Sequence, residues 1–212
     1  MRRTTIRAAA AMAAATVLAA APAAAQHGGH AHGEHAHGEH AHGEHMTMPT
    51  AGLRAELIRD IDQLERKFLG LADAMTGKYD WRPGEGVRSV SEVFMHVAGA
   101  NFMIPAFAGV QPPEQYRAAS PQETMAKLRA LEQVTDEATV KETLRHAFMH
   151  ARHAVAAIPD EQLDDLVKMF GQDATKRNVL TTLVTHMHEH LGQSIAYART
   201  NGVVPPWSAG ES

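Results

Sequence analysis

Four stretches of the chain carry apolar residues at intervals of three and four, which places those residues on one face of an α-helix. The first stretch begins at Thr50 and the second at Ser89, while the third covers 135–158 and the fourth 175–200. No stretch alternates convincingly with a period of two. The pattern therefore predicts an all-α, up-down four-helix bundle. The apolar positions of the four stripes are Leu53, Leu57, Ile61, Leu64, Phe68 and Leu71; Val90, Val93, Phe94, Val97 and Ile104; Val140, Leu144, Phe148, Ala151 and Val155; and Val179, Leu180, Leu183, Val184, Met187, Leu191 and Ile195.

Two capping boxes mark where helices begin. In Ser89-Val90-Ser91-Glu92 a serine precedes a glutamate by three positions, and the same spacing recurs in Ser120-Pro121-Gln122-Glu123. Such a pair satisfies backbone N–H groups that the first helical turn leaves free. The second box, with proline at the first helical position, predicts a short extra helix to about Gln133, between the second and third main helices.

Other caps and breakers divide the remaining chain. Thr50 and Thr135 are predicted N-caps of the first and third main helices. Proline and glycine predict a loop over 81–86, and Asn201-Gly202 predicts the end of the last helix. Residues 160–174 are expected to form short turns around Phe170-Gly171.

The first 25 residues resemble a secretory signal peptide. Arginines at positions 2, 3 and 7 precede an apolar run over 8–20, and three alanines follow at 23–25. This order predicts cleavage before Gln26 and a periplasmic or secreted location. The alternative, a membrane anchor, is disfavoured because the run is shorter than the ~20 residues that span a bilayer.

Residues 26–48 form a low-complexity arm that holds eight of the fifteen histidines. Ala-His-Gly-Glu-His occurs three times in tandem, over 31–35, 36–40 and 41–45. The arm has nothing to bury, which predicts a disordered segment. Its histidines favour loose metal binding, and the alternative is a tolerated linker that grew by repeat slippage. The remaining chain, 49–212, is expected to be one metal-binding bundle.

Charge and cysteine content limit which molecules and metal ligands the sequence suits. Loss of three arginines with the signal peptide would leave 17 basic residues against 24 acidic ones, a formal charge of −7 with histidine neutral. An acidic protein is a poor ligand for phosphate backbones, so nucleic acid is not an expected partner. The chain has no cysteine, so a transition metal would have to bind histidine, methionine or carboxylate side chains. No membrane contact is expected after cleavage, and the oligomeric state stays open, with a homodimer as one option.

A pair of histidines lies inside the fourth helix. His186 and His190 are four residues apart and project from one face, a spacing at which two imidazoles can hold one metal ion. His188 points away from them and is expected to be exposed. The motif is not that of the His-Glu-x-x-His proteases, because Gly192 stands where the second histidine would be. Two surface histidines remain the alternative.

A third ligand would have to come from another helix. His96 is the only histidine of the second helix and lies at the edge of its apolar stripe, where a lone histidine is more often a structural residue than a ligand. Glu92, one turn earlier on the same face, is expected to accept the other ring N–H of His96 or to act as a general base. Histidines 146, 150 and 153 are expected on the solvent face of the third helix.

Several of these motifs together resemble the DinB-like superfamily of four-helix metalloproteins. The residues that carry the resemblance are Trp81-x-Pro83, Ser89-x-x-Glu92-x-x-x-His96, His186-x-x-x-His190-x-Gly192-Gln193, Tyr197-Ala198-Arg199, Gly202 and Pro205-Pro206. It covers nearly the whole chain after the arm. Leu191 departs from the family pattern, in which many members have arginine before Gly-Gln.

The resemblance implies a divalent metal, zinc, nickel or iron, held by His96, His186 and His190. Three imidazoles leave a coordination position open, which is typical of catalytic sites. Relatives include thiol-dependent transferases, isomerases and hydrolases. Low-molecular-weight thiols belong to the cytoplasm, so a metal-dependent hydrolase of a small molecule is the favoured expectation for an exported member. The alternative is a non-catalytic periplasmic buffer, carrier or sensor of metal.

Overall fold

Four long helices carry the predicted apolar stripes. The computed structural model describes residues 48–210 and contains α1 (Gly52–Ala74), α2 (Val90–Met103), α4 (Glu137–Ala157) and α5 (Lys176–Thr200). The short extra helix is α3 (Pro121–Ala130). The predicted all-α bundle and its extra helix are therefore confirmed. Short 3-10 segments cover Ile104–Ala108, Glu114–Tyr116, Leu131–Gln133, Asp160–Gln162 and Pro206–Ser208.

The predicted signal peptide over 1–25 and nearly all of the arm over 26–48 lie outside the described residues. The cleavage site and the role of the arm stay predictions.

The four main helices form one core. Both α1 and α2 pack against α4 and α5, so the consecutive helices α1 and α2 face each other across a diagonal, as do α4 and α5. Every stripe residue is buried except Leu53 and Ile195, which are half-buried. Aromatic rings join three helices at the centre: Phe68 lies 6.3 Å from Phe94 and 5.6 Å from Phe148 between ring centroids.

Both capping boxes are present in the structure, at Ser89 and Ser120. Two other predicted caps are wrong by one residue. The N-cap of α1 is Ala51, which has no side-chain acceptor, rather than Thr50. The N-cap of α4 is Asp136, whose carboxylate accepts the backbone N–H of Thr139 at 2.9 Å. Aspartate competes well for this position because its oxygens reach the free N–H groups of the first turn.

The turns predicted over 160–174 include a β-hairpin, so the expectation of turns alone was wrong. β1 (Leu166–Met169) pairs antiparallel with β2 (Gln172–Thr175). Phe170 and Gly171 both have positive φ, 50° and 82°, as a two-residue hairpin turn of type I′ requires. The strands have four residues each and bury no complete apolar stripe, which explains why periodicity did not reveal them.

One segment of the described chain, Val90–Ala108, is long and apolar enough to cross a membrane. Within the bundle, however, 72% of its most apolar window is buried. Its apolar residues therefore belong to the protein core, where α2 packs against both α4 and α5.

Candidate metal centre

Packing of α2 against α5 brings His96, His186 and His190 together. Each histidine offers one ring nitrogen, and these nitrogens all lie within 4.8 Å of one another. The Nε2 atoms of His96 and His186 are 3.3 Å apart. The three histidines that the resemblance implied as ligands thus converge, although they come from two helices that are far apart in the chain.

The separation of the two Nε2 atoms suits a small metal ion. Two nitrogens each bonded at 2.0–2.1 Å to a tetrahedral ion are about 3.3–3.4 Å apart, and the observed distance is 3.3 Å. A direct imidazole–imidazole hydrogen bond would have a similar length.

A carboxylate orients His96. Its Nδ1 lies 2.9 Å from Oε1 of Glu132, in the 3-10 turn after α3. Burial alone would raise the pKa of Glu132, but hydrogen bonds from Arg88 and His96 hold that pKa below its ordinary value. An ionised Glu132 can only accept, so Nδ1 of His96 carries the proton and Nε2 keeps its lone pair. That is the tautomer a metal ligand needs.

A chain of polar side chains orients His190. Its Nδ1 is 2.8 Å from Oε1 of Gln193, and the Gln193 amide donates to the Tyr197 hydroxyl at 3.0 Å. Tyr197 then donates to the backbone carbonyl of Arg88 at 3.1 Å. Because the Gln193 amide nitrogen is used on Tyr197, its oxygen accepts from His190, which leaves Nε2 of His190 unprotonated. Trp81 packs edge-on against Tyr197, with ring centroids 5.3 Å apart.

The hydrogen bonds that orient His96 and those that orient His190 both lead to Arg88, just before α2. Its guanidinium donates to the two oxygens of Glu132 at 2.8 and 3.2 Å, while its carbonyl accepts from Tyr197. Arg88 therefore links the partner of His96 to the partner of His190. The two ring orientations depend on one residue that no sequence pattern had marked.

His186 differs from the other two histidines. Its Nδ1 is buried and finds no hydrogen-bond partner among the described residues. Burial, reinforced by His190 and His96, lowers the pKa of His186 to about 4. Burial also lowers the pKa of His96, although Glu132 opposes that effect. Both imidazoles are therefore neutral near pH 7, which is the form that binds metal.

The predicted role of Glu92 is not supported. Its carboxylate accepts the Ser89 backbone N–H at 2.7 Å and pairs with Arg82 at 3.0 Å. Burial would raise the pKa of Glu92, but these two partners hold it below its ordinary value. The capping box thus uses the carboxylate that was expected to orient His96, and Glu132 fills that position instead.

The third main helix holds its histidines differently from the sequence prediction. His150 is 7% exposed, not on the solvent face, while His153 is exposed and His146 is half-buried. The rings of His150 and Phe102 pack with their centroids 5.7 Å apart, because this side of α4 faces α2. His188 on α5 is exposed, as predicted.

A cavity of about 580 Å³ adjoins two of the three histidines. His96 and His186 line it, together with Arg88 and Glu132. Gly99 lies in the same wall, and a Cβ there would sit 3.0 Å from the Leu128 carbonyl oxygen. The absence of that Cβ lets the end of α3 approach α2 closely, which brings Glu132 within reach of His96.

Sequence reasoning missed Arg88 and Glu132, and it gave Tyr197 no role beyond the resemblance. Glu132 is 36 positions from His96 and lies in a 3-10 turn outside any stripe. Local spacing therefore contained no signal for it. Gln193 was recognisable, because position 193 follows His190 by three residues on the same face.

Fold and site define an all-α bundle whose second and last helices share a cluster of three histidines. The family model of the DinB superfamily matches residues 60–194. The chain belongs to that superfamily.

Solved structures agree with this assignment. A DinB-like protein from Bacillus cereus is similar at 18% identity over 71% of this chain and 93% of its own, with a TM-score of 0.56. A DinB-like protein from Bacillus subtilis is similar at 17% identity over 69% and 92%, with a TM-score of 0.52. At such identities the likeness shows the fold alone. A search of curated proteins found none that matches.

Proposed function

We propose that this chain is an exported metal-dependent hydrolase of a small molecule, with His96, His186 and His190 as the ligands of a divalent transition metal. The observation that carries the proposal is the cavity of about 580 Å³ against which His96 and His186 lie. A structural zinc site is normally closed by four protein ligands, whereas a catalytic site has three and faces open space.

The protein residues have separate tasks in this proposal. A bound divalent ion would act as a Lewis acid and would lower the pKa of a water molecule toward ~7. Glu132 and Gln193 hold His96 and His190 with Nε2 free. Both oxygens of Glu132 are occupied by Arg88 and His96, so its task is to position a ligand rather than to accept a proton from substrate.

Cobalt substitution tests whether the site has an open position. Protein lacking residues 26–48 and loaded with Co²⁺ should change its visible spectrum on addition of azide or a small carboxylate. Zinc-loaded protein should hydrolyse a member of a panel of esters, amides and lactones, with a rate that rises with pH through one ionisation near ~7. Chelator should abolish the activity and zinc should restore it. A spectrum indifferent to every anion, together with an inactive panel, would leave metal binding without catalysis.

A second candidate function is storage, transport or sensing of metal without catalysis. The eight histidines of the arm favour it, because a hydrolase needs no such segment. Activity measured with and without residues 26–48 separates the two. Unchanged turnover favours the enzyme, whereas an inactive bundle whose metal uptake depends on the arm favours the carrier.

Export is supported by the order of basic, apolar and small residues over 1–25. Expression of the full chain in a Gram-negative host should give periplasmic protein whose first residue is Gln26. Retention of Met1 on protein in the cytoplasm would contradict this part of the proposal.

A further inference from the structure

The cavity beside the histidines combines positive charge with an apolar wall. Arg88 and the exposed side chain of Arg129 line it, and Glu132 is the only acidic residue among residues 48–210 that does so. Glu132 already forms a two-point ion pair with Arg88. No described carboxylate lies within ion-pair distance of Arg129. One positive charge of the lining is therefore left without a partner among residues 48–210.

The histidines do not offset this charge. An imidazole is neutral or positively charged and never negative, and any divalent ion held by His96 and His186 would add further positive charge. The cavity therefore favours a ligand that carries at least one negative charge.

The apolar part of the lining extends beyond the histidines. Met103, Met125 and Leu128 line both this cavity and a second one of about 410 Å³. The second cavity adds Phe107 and two prolines to the same wall. The exposed ring of Phe170, in the hairpin turn, lines the first cavity and packs 4.7 Å from Phe107 between ring centroids. The two cavities thus share an apolar wall, which suits a ligand with an extended hydrocarbon body.

We propose that this cavity binds small amphiphilic anions, in which a carboxylate pairs with Arg129 and the apolar body lies along Met103, Met125 and Leu128. This names the substrate class of the proposed hydrolase, and it rests on that function only for the step from binding to turnover. The binding itself requires no metal, because Arg129 and the apolar wall are both parts of the chain.

Calorimetry on the full chain in excess chelator tests the binding. Decanoate should bind with one-to-one stoichiometry and about two- to fivefold more tightly than decanol or decylammonium, as an ion pair with an exposed arginine contributes. Across hexanoate, octanoate and decanoate, affinity should rise by up to about fourfold for each methylene that enters the apolar wall.

Arg129→Gln should remove the preference for decanoate over decanol. The matched control is Arg145→Gln, which removes an exposed arginine of α4 outside both cavities and should change nothing. Met125→Gln should lower the gain in affinity per methylene while the preference for an anion is retained. Circular dichroism of each variant confirms the fold.

Equal affinity for decanoate and decanol, or equal effects of Arg129→Gln and Arg145→Gln, would overturn the inference. Zinc titration of the same protein separates this failure from failure of the proposed function. Tight zinc binding without decanoate binding contradicts only the ligand class, whereas decanoate binding without tight zinc binding contradicts only the metal site.

Discussion

Helices α4 and α5 carry histidines at the same spacing and use them in different ways. His146 and His150 are four residues apart on α4, as His186 and His190 are on α5. On α5 both rings meet His96 from α2, and the three ring nitrogens lie within 4.8 Å of one another. On α4 the burial of the two differs, and Nε2 of His150 has no hydrogen-bond partner among the described residues.

The difference lies in what each helix packs against. The His190 ring has Gln193 beside it, and His96 has Glu132, so protons are held on Nδ1 and Nε2 is left free. His150 instead meets the ring of Phe102, and burial lowers its pKa to about 4. A pair of histidines at helical spacing thus becomes a candidate metal site only when another helix supplies a third imidazole and polar partners fix the ring protons.

Removal of one histidine from the cluster should have the largest effect. Alanine at His96, His186 or His190 should weaken zinc binding by more than the roughly 10- to 100-fold typical of an outer partner, because a direct ligand is lost. Alanine at His146 should leave the affinity unchanged. Calorimetry on protein lacking residues 26–48 measures this.

His188→Ala is the control within α5, because that side chain is exposed. Loss of the metal in His188→Ala, together with metal binding retained in His186→Ala, would contradict the assigned face of the helix.

The partners of the ligands should have the next largest effect. Glu132→Gln keeps the shape but no longer fixes the proton on Nδ1 of His96, so zinc affinity should fall about 10- to 100-fold. Glu92→Gln is the matched control. Glutamine can still accept the Ser89 N–H, so the variant should reduce stability by only about 0.3–1 kcal/mol through the lost charge at the start of α2, and leave zinc affinity unchanged. The opposite pattern in the same zinc titration would restore Glu92 as the partner of His96.

The buried histidine of α4 should appear in the acid stability of the metal-free protein. The unfolded chain takes up a proton at this residue below about pH 6.5, whereas the folded state resists it until about pH 4. Protonation of His150 in the unfolded chain therefore does not lower the free energy of unfolding above pH 6.5, and lowers it progressively as the pH falls from 6.5 toward 4. Between pH 7.5 and 5.5 the loss should be about 1.4 kcal/mol.

Urea unfolding at several pH values, with His150→Met beside the wild type, isolates this contribution. Burial also lowers the pKa of His96 and of His186, but both residues are common to the two proteins. An unchanged slope in His150→Met would mean that water reaches this ring.

Deletion of residues 26–48 should have the smallest effect on the fold. The arm contains no apolar stripe to bury, so helicity and the melting midpoint in metal-free buffer should change little. The number of weakly bound zinc or nickel ions should fall. A large drop in the melting midpoint would show that the arm packs on the bundle.

The sequence alone determined the apolar stripe at the centre of each helix's buried face. Apolar spacing, two capping boxes and proline breaks are local features, and each acts within a few residues of itself. They predicted the four main helices and the extra helix with errors of about one residue at Thr50 and Thr135. The hairpin over 166–175 was not predicted, because short, half-exposed strands have no comparable local signal.

Only the tertiary structure decided which polar groups meet. Glu92 is close to His96 in sequence, but the start of α2 uses its carboxylate, and Glu132 reaches His96 from the turn after α3. His150 is buried because α4 packs against α2 rather than facing solvent there. Periodicity records how much of a helix is covered, not which neighbour covers it. The partners of a side chain depend on helix packing, and in this bundle the consecutive helices face each other diagonally.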